Sequence, residues 1–227
     1  MLPVLSSPTR AVPVGARRAV LAEAVGTATL VMAIIGSGIA AVGLTHDVGL
    51  QLVFNAIATV AVLGVLISAM LQISGASFNP AVTLADVIQR NVSPRRGGAY
   101  LVAQVGGGVV GAMVAHLMFE RSVVSWSGAE RGGWGRLVGE AVATAGLVAV
   151  IALVDRSILP LVVPAWILGA YLFTSSTSFA NPAVTVGRVF TDSFSGIAGS
   201  DAPWFVVAQL VGAMLGLGLA RILKEDP

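Results

Sequence analysis

Apolar residues along the chain gather into six blocks long enough to cross a bilayer, roughly 19–43, 50–73, 99–119, 136–154, 159–177 and 203–223. A crossing helix needs about 20 mostly apolar residues, so each block predicts one. Two further apolar stretches, roughly 80–89 and 182–192, are too short to cross. They read as half-helices that dip into the membrane and return. The first block is too long for the apolar region of a cleaved signal peptide, and further crossings follow it.

The pattern repeats. Ala22-Glu23-Ala24-Val25-Gly26-Thr27 opens the first half, and Gly139-Glu140-Ala141-Val142-Ala143-Thr144 opens the second. Asn79-Pro80-Ala81-Val82-Thr83 is matched by Asn181-Pro182-Ala183-Val184-Thr185, and Ala103-Gln104 by Ala208-Gln209. Each Gln is followed by a small-xxx-small pair, Gly107/Gly111 and Gly212/Gly216, a spacing that lets helix backbones approach closely. The three landmarks recur in the same order, 117 residues apart from Glu23 to Glu140, 102 from Asn79 to Asn181 and 105 from Gln104 to Gln209. Each half contributes an odd number of crossings, so the halves enter the membrane with opposite orientation, as an inverted repeat. The predicted fold is all-α and membranous: six transmembrane helices plus two re-entrant half-helices. It forms one domain over 19–223, with halves of about 19–119 and 136–223, between short tails at 1–18 and 224–227.

Composition narrows the function. Charged residues make up 11% of the chain, against about 25% in soluble domains, while hydrophobic residues reach 56% and the mean hydropathy is +0.90. These values exclude a disordered chain and argue against a soluble enzyme. The lipid bilayer is the implied environment. There is no cysteine, and His46 and His116 stand too far apart for a metal motif, so no disulfide, metal or cofactor is implied. A net charge of +2 gives no reason to expect nucleic acid. Nine of the 13 Lys and Arg residues fall on the side of the termini, which predicts both termini in the cytoplasm of a multi-pass cell-membrane protein. The spans hold no Ser/His/Asp set, paired-histidine metal motif or acidic pair at helical spacing, so enzymatic chemistry is not expected.

Asn followed by Pro starts a helix well, because Asn caps and Pro at the first position gives up no needed N–H. Two such starts, entering from opposite faces, would meet near the midplane. Backbone that leaves a helix at that depth must be buried or line a cavity, so the arrangement implies a pore. The amides of Asn79 and Asn181 would face it, and the positive ends of both half-helices would repel cations.

The segment Ser74-Gly75-Ala76-Ser77-Phe78-Asn79-Pro80-Ala81, its twin at Asn181-Pro182-Ala183 and the paired Glu and Gln resemble the aquaporin, or major intrinsic protein, family over nearly the whole chain. The resemblance implies one pore per subunit, a homotetramer, and water and small neutral solutes as the molecules that pass. It also implies that Glu23, Glu140, Gln104 and Gln209 brace the re-entrant loops. The alternative for the two carboxylates is proton coupling in a transporter. Most of the family places Arg directly after the second Asn-Pro-Ala, where this chain has Val184. Transferring the other filter positions by spacing gives Thr59, Gly169 and Ser178, where orthodox water channels put an aromatic and a His at the first two. A filter of Thr59, Gly169, Ser178 and Val184 would be wide and free of charge. Arg188, seven residues after Asn181, is expected in the outer vestibule, restoring part of the barrier to cations, or else on the surface at a helix end or lipid phosphate. The stretch Thr174–Arg188 resembles a bacterial branch associated with arsenic detoxification. The expected cargo is therefore neutral arsenous or antimonous acid first, then glycerol-like polyols and water. An orthodox water channel is the alternative.

Overall fold

The computed structural model describes residues 15–224. Arg10, the rest of the expected tail over 1–14, and residues 225–227 lie outside the described residues. In chain order the helices are α1 (Ala16–Leu44), α2 (Val48–Met70), α3 (Pro80–Ile88), α4 (Pro94–Met118), α5 (Trp134–Leu153), α6 (Leu159–Phe173), α7 (Pro182–Val189) and α8 (Ala202–Lys224), with a 3-10 turn at Arg156–Ile158 before α6. Six are long and apolar enough to cross a membrane, counting the 3-10 turn with α6, and α3 and α7 are the two short ones. Side chains such as Val102, Leu161 and Ile222 are at least 70% exposed around the bundle, while Glu23, Gln104, Glu140 and Gln209 are fully buried. A soluble fold would reverse that distribution; here the outer surface faces hydrocarbon and the polar groups turn inward.

The element ends have local causes. Helix α1 starts at Ala16, so Arg17 and Arg18 belong to its first turn and not to a tail. Helix α4 starts at Pro94, ahead of the expected 99, because the Ser93 hydroxyl accepts from the Arg96 N–H at 3.4 Å and Pro94 occupies the first turn. Helix α6 stops at Phe173, short of the expected 177, and Thr174 closes it by turning its hydroxyl back to the Ala170 carbonyl.

Each half runs long, long, short, long. Helix α1 packs on α4 in the first half, as α5 packs on α8 in the second. Both contacts depend on glycine. A Cβ at Gly107 or Gly111 would stand 2.3 or 2.2 Å from the carbonyl oxygens of Ala24 and Ala28. At Gly212 or Gly216 it would stand 2.4 or 2.3 Å from those of Ala141 and Ala145. The obstacle is backbone in every case, so no rotamer change relieves it.

Gly111→Ala is expected to force α1 and α4 apart and lower stability by about 1–3 kcal/mol. Gly106→Ala is the control on the same helix, where an added Cβ meets nothing within 4 Å and helix propensity rises slightly. Thermal unfolding of the two variants in detergent checks the difference.

Candidate functional site

The two half-helices meet at their N-termini. Asn79 caps α3 through its Oδ1, which accepts from the Ala81 N–H at 2.9 Å. Asn181 caps α7 and accepts from the N–H groups of Ala183 and Val184 at 2.9 and 3.2 Å. The amides then cross over: Asn79 Nδ2 donates to the Ala180 carbonyl at 2.7 Å, and Asn181 Nδ2 to the Phe78 carbonyl at 2.8 Å. Each asparagine therefore holds the residue that precedes the other. One N–H of each amide is engaged in this lock, leaving one per amide at the cavity that both asparagines line.

The loops leading into the half-helices are strained. Ala76 and Phe78 before α3, and Thr177, Ser178 and Ala180 before α7, have φ between 47° and 60°, a region unfavourable for residues bearing a Cβ. Two buried carboxylates hold them there. Glu23 accepts from Ser74 Oγ at 2.6 Å, the Ser77 N–H at 3.1 Å, the Phe78 N–H at 2.7 Å and Gln104 Nε2 at 2.7 Å. Glu140 accepts from the N–H groups of Phe179 and Ala180 at 2.8 and 2.9 Å and from Gln209 Nε2 at 2.6 Å. Gln104 and Gln209 each extend the chain to a half-helix threonine, Thr83 or Thr185, at 2.9 Å. Sequence reasoning did not single out these threonines, although their repetition after both Asn-Pro-Ala triplets was visible.

A cavity of about 450 Å³ runs from this junction to the face that carries Arg96 and Arg156. Thr59, Ser178 and Val184 line it, as do Asn79 and Asn181. The hydroxyl oxygens of Thr59 and Ser178 are buried without a hydrogen-bond partner. Gly169 does not face it. The cavity stripe on α6 is Leu159, Val163, Ile167 and Tyr171, a four-residue spacing along one helix face. Gly169 stands two residues, about 200°, from Ile167. Counting back from Asn181 misplaced it because residues 174–181 are not helical and carry no fixed rotation. The aromatic ring of Tyr171 takes the wall where no side chain was expected.

Arg188 is neither in a vestibule nor at the lipid surface. It is 2% exposed. Its guanidinium carbon sits 3.4 Å from the centroid of the Phe179 ring, and its Nε donates to the Ser195 carbonyl. The chain returning after α7 closes over it, with the Ile197 N–H bonded to the Arg188 carbonyl at 3.2 Å. That return segment draws the side chain sideways, off the face that helical spacing assigns. The connection 119–133 is tied to the same segment. Ser125 and Ser127 donate to the carbonyls of Phe190 and Val189 at 3.2 and 3.0 Å. Arg131 donates through Nε to the Gly196 carbonyl at 2.6 Å and through Nη2 to that of Phe194 at 3.1 Å. Burial, and then the nearby Arg136, lower the pKa of Arg131 from its ordinary value. His116 joins this tie between Ser122 O and Thr191 Oγ1, at 2.6 and 2.7 Å. Trp126, Trp134 and Trp204 are exposed, but Trp166 lies over Gly146 and donates to the Ala143 carbonyl at 2.9 Å.

The family model for major intrinsic proteins matches residues 10–159. Aquaglyceroporin AqpS of Rhizobium meliloti (strain 1021) is 46% identical over 211 residues, covering 92% of this chain and 91% of its own. A probable TIP-type aquaporin of Medicago truncatula is 32% identical over 225 residues, covering 92% and 86%. Among solved structures, the aquaglyceroporin from Plasmodium falciparum superposes with a TM-score of 0.68 over 93% of this chain and 96% of that one; at 18% identity the likeness concerns the fold. With six crossing helices, two half-helices meeting at paired asparagines, and relatives that match along almost its whole length, the chain belongs to the major intrinsic protein family and is a membrane channel, not an enzyme.

Proposed function

We propose that the cavity is a passive pathway for small neutral solutes: neutral metalloid acids such as arsenous and antimonous acid, glycerol-like polyols, and water. The observation that carries this reading is the pair of hydroxyls, Thr59 and Ser178, buried on the cavity wall without a hydrogen-bond partner among the described residues. A buried hydroxyl left without a partner costs about 1–3 kcal/mol, so these two offer hydrogen bonds to whatever occupies the cavity. With the free amide N–H groups of Asn79 and Asn181 they form a short ladder between apolar surfaces, suited to a molecule with several hydroxyls. The name of the relative AqpS supports a solute larger than water. Val184 adds no charge at the filter, and Tyr171 replaces the open side expected from Gly169, so the filter is narrower on the α6 side than four small residues would make it. The Arg-rich face of the termini is the cytoplasmic one in this reading, the cell membrane the location, and a homotetramer the assembly.

Glu23 and Glu140 do not line the cavity and already accept hydrogen bonds from loop backbone and glutamine. This favours a channel over a proton-coupled transporter. Glu140→Gln would turn an N–H donor toward the N–H groups it should accept from, so the expected result is a loss of folded protein of about 2 kcal/mol or more. Flux through wild-type protein should not respond to an imposed pH gradient. A gradient-dependent flux that Glu140→Gln abolishes in a protein of unchanged stability would mean proton coupling instead.

Light scattering of proteoliposomes tests the cargo. Wild type should pass glycerol and neutral arsenite as well as water. Val184→Arg should reduce the two larger solutes at least about tenfold, a barrier of about 1.4 kcal/mol, and water less. A wild type that passes only water would reduce the reading to an ordinary water channel. Tyr171→Ala should raise glycerol permeability several-fold with a smaller change for water; unchanged glycerol flux would show that Tyr171 does not form the constriction.

A further inference from the structure

On the reading that this chain is a channel, we infer that its barrier to cations is set from behind the wall, by Arg188 and Arg131 acting through Phe179, and not by a charged side chain in the path. Phe179 lines the cavity beside Ser178 and Asn181, whereas neither arginine does. The guanidinium carbon of Arg188 is 3.4 Å from the Phe179 ring centroid and that of Arg131 is 5.2 Å from it. Two positive charges therefore stand against a residue of the cavity wall while lying outside the cavity themselves. Phe205 packs edge-on against the same ring, with centroids 5.1 Å apart, and holds it in place.

The two charges are weakly neutralised. Among the described residues, every hydrogen-bond acceptor of both guanidiniums is a backbone carbonyl, namely Ser195 for Arg188 and Gly196 and Phe194 for Arg131. Nη1 of Arg188 is buried with no partner. The carboxylate that acts on both is Glu140, and its oxygens are already engaged by Phe179, Ala180 and Gln209. Guanidiniums stay protonated in proteins. Asp201 accepts from the Arg131 backbone N–H at 2.6 Å and so offsets part of that charge, but no carboxylate bonds either guanidinium among the described residues, and the pair leaves a positive potential, greatest at Arg188, that extends into the adjoining lumen. A neutral solute does not feel it. A sodium ion or a hydrated proton does.

The arrangement separates charge selection from size selection, because the charge occupies none of the lumen. Arg188→Gln should therefore raise cation leak per channel about tenfold. That is the effect expected for one charge about 10 Å from the path at an effective dielectric of about 20. Glycerol permeability should stay within about twofold. Arg188→Lys keeps the charge and should keep the leak low. Arg131→Gln, farther from the ring and outside the helices, should give a smaller increase in the same direction.

The measurement pairs a potential-driven proton and potassium leak assay with glycerol light scattering on the same proteoliposomes, normalised to channel content. Leak unchanged in Arg188→Gln and Arg131→Gln, with glycerol flux retained, overturns the inference. So does a leak of equal size in Arg188→Gln and Arg188→Lys, which would mark a structural role. If Arg188→Gln does not fold, Arg131→Gln decides by the same criterion. A wild type that passes no neutral solute would instead defeat the channel reading.

Discussion

A backbone that leaves its helix inside a membrane has no water to satisfy it, and that constraint organises this molecule. The two segments that dive to the midplane adopt left-handed conformations at Ala76, Phe78, Ser178 and Ala180. Each such residue costs about 1–2 kcal/mol, and the exposed N–H groups would cost more if left unpaired. Glu23 and Glu140 answer both problems at once. Each carboxylate accepts from consecutive loop N–H groups, so it fixes the strained geometry and satisfies it. The glutamines then join the loops to α4 and α8. The half-helices can point their N-termini at one another only because these contacts hold the approach of the chain.

The inverted repeat is preserved in chemistry and relaxed in volume. In the first half, Gly26 faces the Phe78 ring so closely that a Cβ there would sit 2.1 Å from it. At the equivalent places of the second half stand Ala143 and Ala180. A large and a vanishing side chain in one half are exchanged for two small ones in the other, and the backbone path is kept. The glycine contacts between α1 and α4 and between α5 and α8 were kept without exchange, because there the neighbour is a carbonyl oxygen that cannot repack.

This difference explains what could be read in the sequence and what could not. The crossings, the half-helices and the Glu, Asn and Gln landmarks were legible because each repeats with the same neighbours, and because helix and cap rules are local. The repeat alone left Glu23 and Glu140 open between bracing and proton coupling; the bracing role came from the resemblance to the family. Gly169 was misplaced because helical phase was carried across residues 174–181, where no helix maintains it. Arg188 was misplaced because its position depends on chain far along the sequence, the carbonyl of Ser195 and the segment 119–133 that folds against it. Nothing local to α7 encodes that capture. Trp166 fills the space that Gly146 leaves open, a contact between two helices that no single segment announces.

The two misplaced residues change how this channel is compared with its relatives. By identity at four aligned positions it looks small and uncharged throughout. In three dimensions Tyr171 stands in the wall on one side, and positive charge stands against a second wall residue, Phe179, on another. On the proposed function and the inference drawn from it, width and charge are carried by different side chains on different elements: α6 for width, and α7 with the 119–133 connection for charge. In a filter where one arginine sets both, a substitution that admits a larger solute also lowers the barrier to ions. Here the two properties can change independently, because removing bulk from α6 leaves both guanidiniums, their carbonyl partners and the Phe179 ring in place. A passage widened for neutral polyhydroxy solutes can then still refuse protons, which a membrane that maintains a proton gradient requires.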